Sequence, residues 1–164
     1  GGRGEVINRA MLEKLDLTRI GLCDDGMWAI APYLRFNETL QVLDLTGNDL
    51  SDWGIAALSA ALDENASISQ LSLRQNGVGY NGCRTLAKAL NLNATITALD
   101  LRENPIGDDG AEALCVDYIN GARKLRAVDL SSCDICDDGA MWLGGALRRN
   151  AALLELNLSH NRIT

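Results

Sequence analysis

An α/β solenoid of stacked repeats is the fold class that this sequence predicts. Three observations carry it. Apolar residues at Leu12, Leu40, Ile68, Ile96, Leu125 and Leu153 open six units spaced 28, 28, 28, 29 and 28 residues apart. Each unit starts with apolar residues alternating at period two, the mark of a strand with one buried face. Each of the first five then continues with a four-residue apolar step, the mark of a helix with one buried face. Such units cannot bury their apolar face alone and must stack on their neighbours.

The strand segments take the next core residues at Leu15, Leu43, Leu71, Leu99, Val128 and Leu156, and two further on at Leu17, Leu45, Leu73, Leu101, Leu130 and Leu158. A turn follows, closed by Leu22, Leu50, Val78, Ile106, Ile135 and Ile163. Inside this turn stands a column of Ile20, Asn48, Asn76, Asn104, Cys133 and Asn161. A buried asparagine is costly unless its amide is bonded. Stacking offers partners, and each amide is expected to bond backbone groups of its own and the next turn. Ile20 breaks the column and places the first unit at an end; Cys133 is a small stand-in.

The helical halves start at Asp24-Asp25-Gly26, Asp52-Trp53-Gly54, Asp108-Asp109-Gly110 and Asp137-Asp138-Gly139. The first aspartate of each is expected to cap the next helix. The buried helical faces are Ile30/Leu34, Leu58/Leu62, Leu86/Leu90, Leu114/Tyr118 and Leu143/Leu147. Asn37, Asn65, Asn93 and Asn150 are expected to close the helices in the left-handed conformation. The one extra residue of the fourth unit falls somewhere in 119–124.

The stretch Leu40-Gln-Val-Leu43-Asp-Leu45-Thr-Gly-Asn48-Asp-Leu50 reads L-x-x-L-x-L-x-x-N-x-L. Together with a capped helix ending in L-x-x-N, it resembles the ribonuclease-inhibitor-type leucine-rich repeat. Similar repeats occur in NOD-like receptors, the activator of the Ran GTPase, tropomodulin, and cytoplasmic or flagellar proteins. The resemblance implies a horseshoe arc with a parallel β-sheet on the concave face and α-helices on the convex face. Residues 1–11 are read as a short lead or partial cap and 12–164 as the repeat domain, expected to be a fragment of a longer repeat protein. Uncapped ends would expose apolar surface, so self-association through them is an expectation as well.

Aromatic residues make up 4% of the chain, so the core must be built from Leu, Ile, Val and Ala. The net charge of −7 argues against a nucleic-acid partner and suits a basic protein partner. No apolar run approaches membrane-spanning length, so no membrane partner is expected. Five scattered cysteines and the absence of a signal-type run point to a reduced, cytoplasmic setting.

No set of residues reads as an enzyme active site, and no cofactor or metal is expected. The Asp-Asp-Gly turns lack the alternate spacing of calcium ligands. Cys133-x-x-Cys136 has no second pair, and both cysteines occupy repeat positions. His160, the single histidine, stands in a strand exit loop. The sequons at Asn37, Asn65 and Asn93 recur at the repeat period, so these asparagines are read as helix-closing residues. Trp28, Trp53 and Trp142 lie near helix starts, as inter-helix packing or as a second interaction surface. Met27-Trp28 and Met141-Trp142 favour a repeat role.

The expected partner surface is the concave face. One strand column presents Asp16, Asp44, Ser72, Asp100, Asp129 and Asn157, and two residues later Thr18, Thr46, Arg74, Arg102, Ser131 and Ser159. The candidate partner-binding residues are Asp44, Arg74, Asp100, Arg102, Glu103 and Asp129. They form an acidic strip that either receives a basic partner, with Arg74 and Arg102 setting its orientation, or is a solvated face partly neutralised by those two arginines. The function expected is a protein–protein interaction or scaffold module. The resemblance leaves three alternatives open: a regulator like the Ran GTPase activator (whose acidic tail is not found in this sequence), a NOD-like-receptor sensor repeat, and a cytoskeletal or axonemal repeat.

Overall fold

The computed structural model describes residues 11–119 and 124–164. The lead before Met11 and residues 120–123, within which the extra residue of the fourth unit is expected, lie outside them. Six three-residue strands, β1 (Lys14–Asp16), β2 (Val42–Asp44), β3 (Gln70–Ser72), β4 (Ala98–Asp100), β5 (Ala127–Asp129) and β6 (Glu155–Asn157), form one sheet in sequence order. All pairs are parallel, and the register aligns Leu15, Leu43, Leu71, Leu99, Val128 and Leu156. The second layer is α1 (Cys23–Arg35), α2 (Asp52–Leu62), α3 (Tyr80–Leu92), α4 (Gly107–Leu114) with a π-helical extension (Cys115–Ile119), and α5 (Asp137–Leu147). Strands repeat about every 4.8 Å and packed helices about every 8–10 Å. Stacking both in step therefore bends the solenoid, with the sheet on the inner, concave side.

The core lies between the two layers. Leu43, Leu45, Leu73, Leu101 and Leu130 are fully buried from the sheet side, and Leu58, Leu62, Leu86 and Leu90 from the helix side. Each such side chain contributes about 1.5–3 kcal/mol relative to exposure. Burial thins toward both ends. Leu15, Leu17, Leu156 and Leu158 are only partly covered, and Leu147, expected on a buried face, is exposed.

The asparagine column is bonded, but in the opposite direction from the sequence expectation. Asn104 Nδ2 donates to Leu101 O of its own turn (2.8 Å) and to Leu73 O of the preceding turn (2.9 Å). Its Oδ1 accepts from Asn76 N and Val78 N, also one turn back. Asn48, Asn76 and Asn161 repeat this pattern. The turn after each strand folds back over the unit before it, so the amide looks backward. Cys133 keeps part of the role, with its thiol at 3.2 Å from Leu101 O.

The second column, Asn37, Asn65, Asn93 and Asn150, closes the helices without the left-handed backbone expected of it, since none of these has positive φ. Each carboxamide oxygen accepts two N–H groups just ahead, as Asn65 Oδ1 does from Ser67 N and Ile68 N. The Asn65 amide reaches back to Leu34 O and Asn37 O. A left-handed column runs instead directly after the strand–turn boundary, at Arg19, Gly47, Gln75, Glu103, Ser132 and His160, with Gly21, Asp49 and Asp134 also left-handed two residues further on in their turns. Five of the six are not glycine, a conformation that costs about 1 kcal/mol or more. In the first five the N–H extends the parallel ladder to the next unit, as Gln75 N does to Arg102 O (2.8 Å).

The aspartates that open the helices do not cap their own helix. Asp24 lies in the first turn of α1, and its carboxylate accepts from Ser51 N (2.8 Å), the Ser51 hydroxyl and Gly54 N (3.0 Å) at the start of α2. Asp52 holds Gly79 N, Asp108 holds Cys136 N and Gly139 N, and Asp137 holds Thr164. Each is a latch to the next unit. Tyr80 occupies this position in the third unit, so α4 has no latch. The consequence is visible in the backbone. Ser51, Gly79 and Cys136 are extended at the residue before the helix, whereas Gly107 turns to φ +63°. Cys23, with no unit before it among the described residues, takes φ +52°.

Candidate functional site

Alternation puts the residues between the core leucines on the concave surface. There β1 to β6 line an open groove of about 590 Å³, with Val42, Ala98 and Ala127 on its floor and Asp44, Asp100 and Asp129 one pleat further along. The sequence reading placed the acidic column on this face but left the floor column out of its site residues. Its signal is the same alternation, two residues earlier.

Of the six expected residues, Asp44, Asp100 and Asp129 line the groove, whereas Arg74 and Arg102 lie outside its lining and Glu103 stands among the strand-exit turns beside Asp49 and Gln75. Arg102 forks onto Asp100, with Nε at 3.0 Å from Oδ1 and Nη2 at 2.7 Å from Oδ2. It also lies 3.6 Å from Asp129 Oδ2 across the strand boundary. The hydrogen bond to Asp100, together with the nearby acidic charges, raises the Arg102 pKa above its usual value. Burial alone would raise the Asp129 carboxyl. The Ser131 hydroxyl and N–H, the Asn157 amide and the Arg102 charge outweigh it and hold Asp129 below the ordinary aspartate range. Arg102 thus bridges the Asp100–Asp129 pair and offsets one of its two negative charges.

Arg74 does not do the same for the strip. Its Nε donates to Glu103 Oε1 at 2.9 Å, one unit on, outside the aspartate column. Glu103 stands in the left-handed turn after β4. Asp44 is left without an arginine. Its Oδ1 accepts from Thr46 N (3.0 Å) and the Thr46 hydroxyl (2.6 Å), and the Ser72 hydroxyl lies 2.9 Å from that of Thr46.

The other sequence candidates resolve into structural roles. Cys133 is buried in the core and Cys136 precedes α5. Burial pushes the Cys133 thiol up to about 11 and the Cys115 thiol to about 12. Among the described residues, no group of three or more His, Cys, Asp or Glu side chains is placed to hold a metal ion. None of the described helices is long and apolar enough to cross a membrane. On the convex side Trp28, Trp53 and Trp142 are exposed at 52%, 74% and 44%. The Met-Trp pairs are not equivalent, since Met27 is fully buried and Met141 is exposed.

Comparison with known proteins follows the same repeat. The leucine-rich-repeat family model matches residues 36–59, 92–115, 121–144 and 149–164, more than half of the chain. The chain belongs to the leucine-rich-repeat family. Two solved structures of this fold are similar to it, each with a TM-score of 0.69. One is leiomodin-1 actin-binding site 2, at 17% identity, covering 84% of this chain and 79% of that one. The other is the tropomodulin C-terminal domain of Caenorhabditis elegans, at 13% identity, covering 84% and 83%. No curated protein sequence matches this leucine-rich-repeat chain.

Proposed function

We propose that this chain is a protein-interaction module that receives its partner on the concave face. The observation that carries the reading is the groove itself. It runs across all six strands, has a small-residue floor at Ala98 and Ala127, and is flanked by charged side chains. Parallel strands locked by two asparagine columns give a rigid grid, so binding costs little ordering of the chain itself. A shallow open groove without a metal cluster among the described residues suits recognition more than catalysis. A cytoplasmic setting fits five cysteines that form no disulfide.

A photo-crosslinking residue placed at Ala98, in the groove, is expected to capture a partner protein from a cell expressing this chain. The same residue at Lys88, exposed on α3, is expected to capture none. Capture from Lys88 alone would overturn the concave reading. A cytoskeletal partner is the second reading, because a structure of the same fold is described as an actin-binding site. Co-sedimentation with filamentous actin, lost on Ala98→Trp, would support it. Chain left wholly in the supernatant at saturating actin would exclude it.

A further inference from the structure

This inference rests on the concave reading and concerns which carboxylate receives the partner's charge. Asp44, Asp100, Asp129 and Glu155 all line the groove, with Lys14 as the one cationic residue of its lining. Asp100 gives both oxygens to Arg102. Asp129 gives Oδ1 to Ser131 and Oδ2 to Asn157. Asp100 is thus closed on Arg102 of its own unit, and Asp129 on Ser131 of its own unit and Asn157 of the next.

Asp44 is arranged differently. Every hydrogen bond made to it among the described residues goes to Oδ1. A hydroxyl has one proton, and that of Thr46 points to Asp44 at 2.6 Å, so Ser72 must be the donor in its 2.9 Å contact with Thr46. The hydroxyl relay runs from Ser72 through Thr46 to Asp44 and fixes the carboxylate by one oxygen. Oδ2 keeps its acceptor capacity. Two residues earlier on the same strand face is the half-buried Val42. Lys14 stands abreast of Val42 on the neighbouring strand β1.

We propose that Asp44 and Val42 form the anchoring subsite of the groove, and that its ligand is a lysine or arginine side chain on a basic segment of the partner protein. The alkyl stem packs on Val42, the cationic head bonds Asp44 Oδ2, and the segment continues over the small floor residues Ala98 and Ala127. Charge complementarity selects a basic occupant: the lining carboxylates outnumber the cations, on a chain of net charge −7.

The test is fluorescence anisotropy with a labelled 15-residue peptide of alternating lysine and alanine, and with its glutamate counterpart. The lysine peptide binds and the glutamate peptide does not. Asp44→Asn, which still accepts the Thr46 bonds, weakens the lysine peptide about tenfold, the scale of one hydrogen bond to a charged group. Asp138→Asn, an exposed acid on α5, leaves the affinity within about twofold, as a screened surface charge should. Absence of lysine-peptide binding, or equal effects of the two substitutions, overturns the proposal. Circular dichroism of Asp44→Asn confirms that loss of binding is not loss of fold. If Ala98→Trp abolishes binding while Asp44→Asn does not change it, the anchor is wrong and the concave reading stands. If Ala98→Trp leaves binding intact, the concave reading fails with it.

Discussion

Ser59 is the exception among the buried polar groups of this core. Asn48, Asn65, Asn104 and Ser131 are equally buried, and hydrogen bonds account for their side chains. The Ser59 hydroxyl, in α2, is the one buried side-chain polar atom without a partner among the described residues. Its repeat equivalents are Ala31, Ala87 and Cys115, all buried, and Gly144. The position therefore asks for a small side chain and offers nothing to a hydroxyl. Ser59→Ala is expected to stabilise the fold by about 1 kcal/mol, since it removes an unpaired polar atom and opens almost no cavity. A urea midpoint that rises with unchanged slope would agree; a midpoint that falls would mean the hydroxyl has a partner in solution. The contrast with asparagine is instructive. Asn104 is the larger buried polar group, yet five backbone groups of two turns depend on it.

At the scale of elements, much of the architecture was legible. The apolar residues at Leu43 and Leu45 placed β2, the 28-residue spacing placed every other strand, and the four-residue steps placed the helices. What was not legible is what passes between units. Asp24 looks like a cap for α1 in sequence and is a latch on α2 in space, because its partners Ser51 and Gly54 lie a full repeat away. The left-handed column could not be read either, since Arg19, Gln75 and Glu103 carry no glycine signal. At the site, alternation put Asp44, Asp100 and Asp129 on the concave face, where they line the groove. It could not tell that Arg102 spans Asp100 and Asp129 while Arg74 turns to Glu103, for that depends on side-chain rotamers on adjacent strands. The latches yield a coupling that can be measured. Where a latch exists, the residue before the helix is extended, and where Tyr80 replaces it, Gly107 is left-handed. Gly107→Ser should cost about 1 kcal/mol in the native background. In a Tyr80→Asp background the new carboxylate should draw residue 107 into the extended form, as Asp24 does for Ser51. The cost should then fall close to zero. A double-mutant cycle from denaturant midpoints is expected to show a coupling near 1 kcal/mol; strictly additive effects would mean that the latch does not set this turn.

For the whole molecule, strands and helices pack only on those of neighbouring units among the described residues, with the Arg19–Gln75 side-chain hydrogen bond reaching two units on, so stability is close to a sum of units and seams. Several seams contain a carboxylate, which makes the solenoid acid-sensitive in a directed way. Asp129 ties unit five to unit six through Asn157 and faces Arg102 of unit four, and its pKa lies below the ordinary value. Asp137 ties unit five to Thr164, and the Thr164 N–H and hydroxyl lower its pKa as well. The sign follows from proton linkage. A carboxyl with a depressed folded pKa binds its proton first in the unfolded chain. Its stabilisation is therefore complete above the unfolded value near 4 and is lost as the pH falls through the folded value. Both groups act on the last seams, so acid should loosen β6 and the segment after it before the central strands. Asp129→Asn keeps the shape and an acceptor for Ser131 but removes the charge seen by Arg102. Its midpoint in urea should lie below that of the native chain at pH 7, and the gap should close steadily below about pH 4 as the native carboxyl is protonated. Hydrogen exchange followed over the same range should show the β6 amides losing protection first. A gap that stays constant down to pH 3 would mean that the Asp129 charge does not contribute to this seam, and simultaneous loss of protection in all six strands would mean that the units do not open separately.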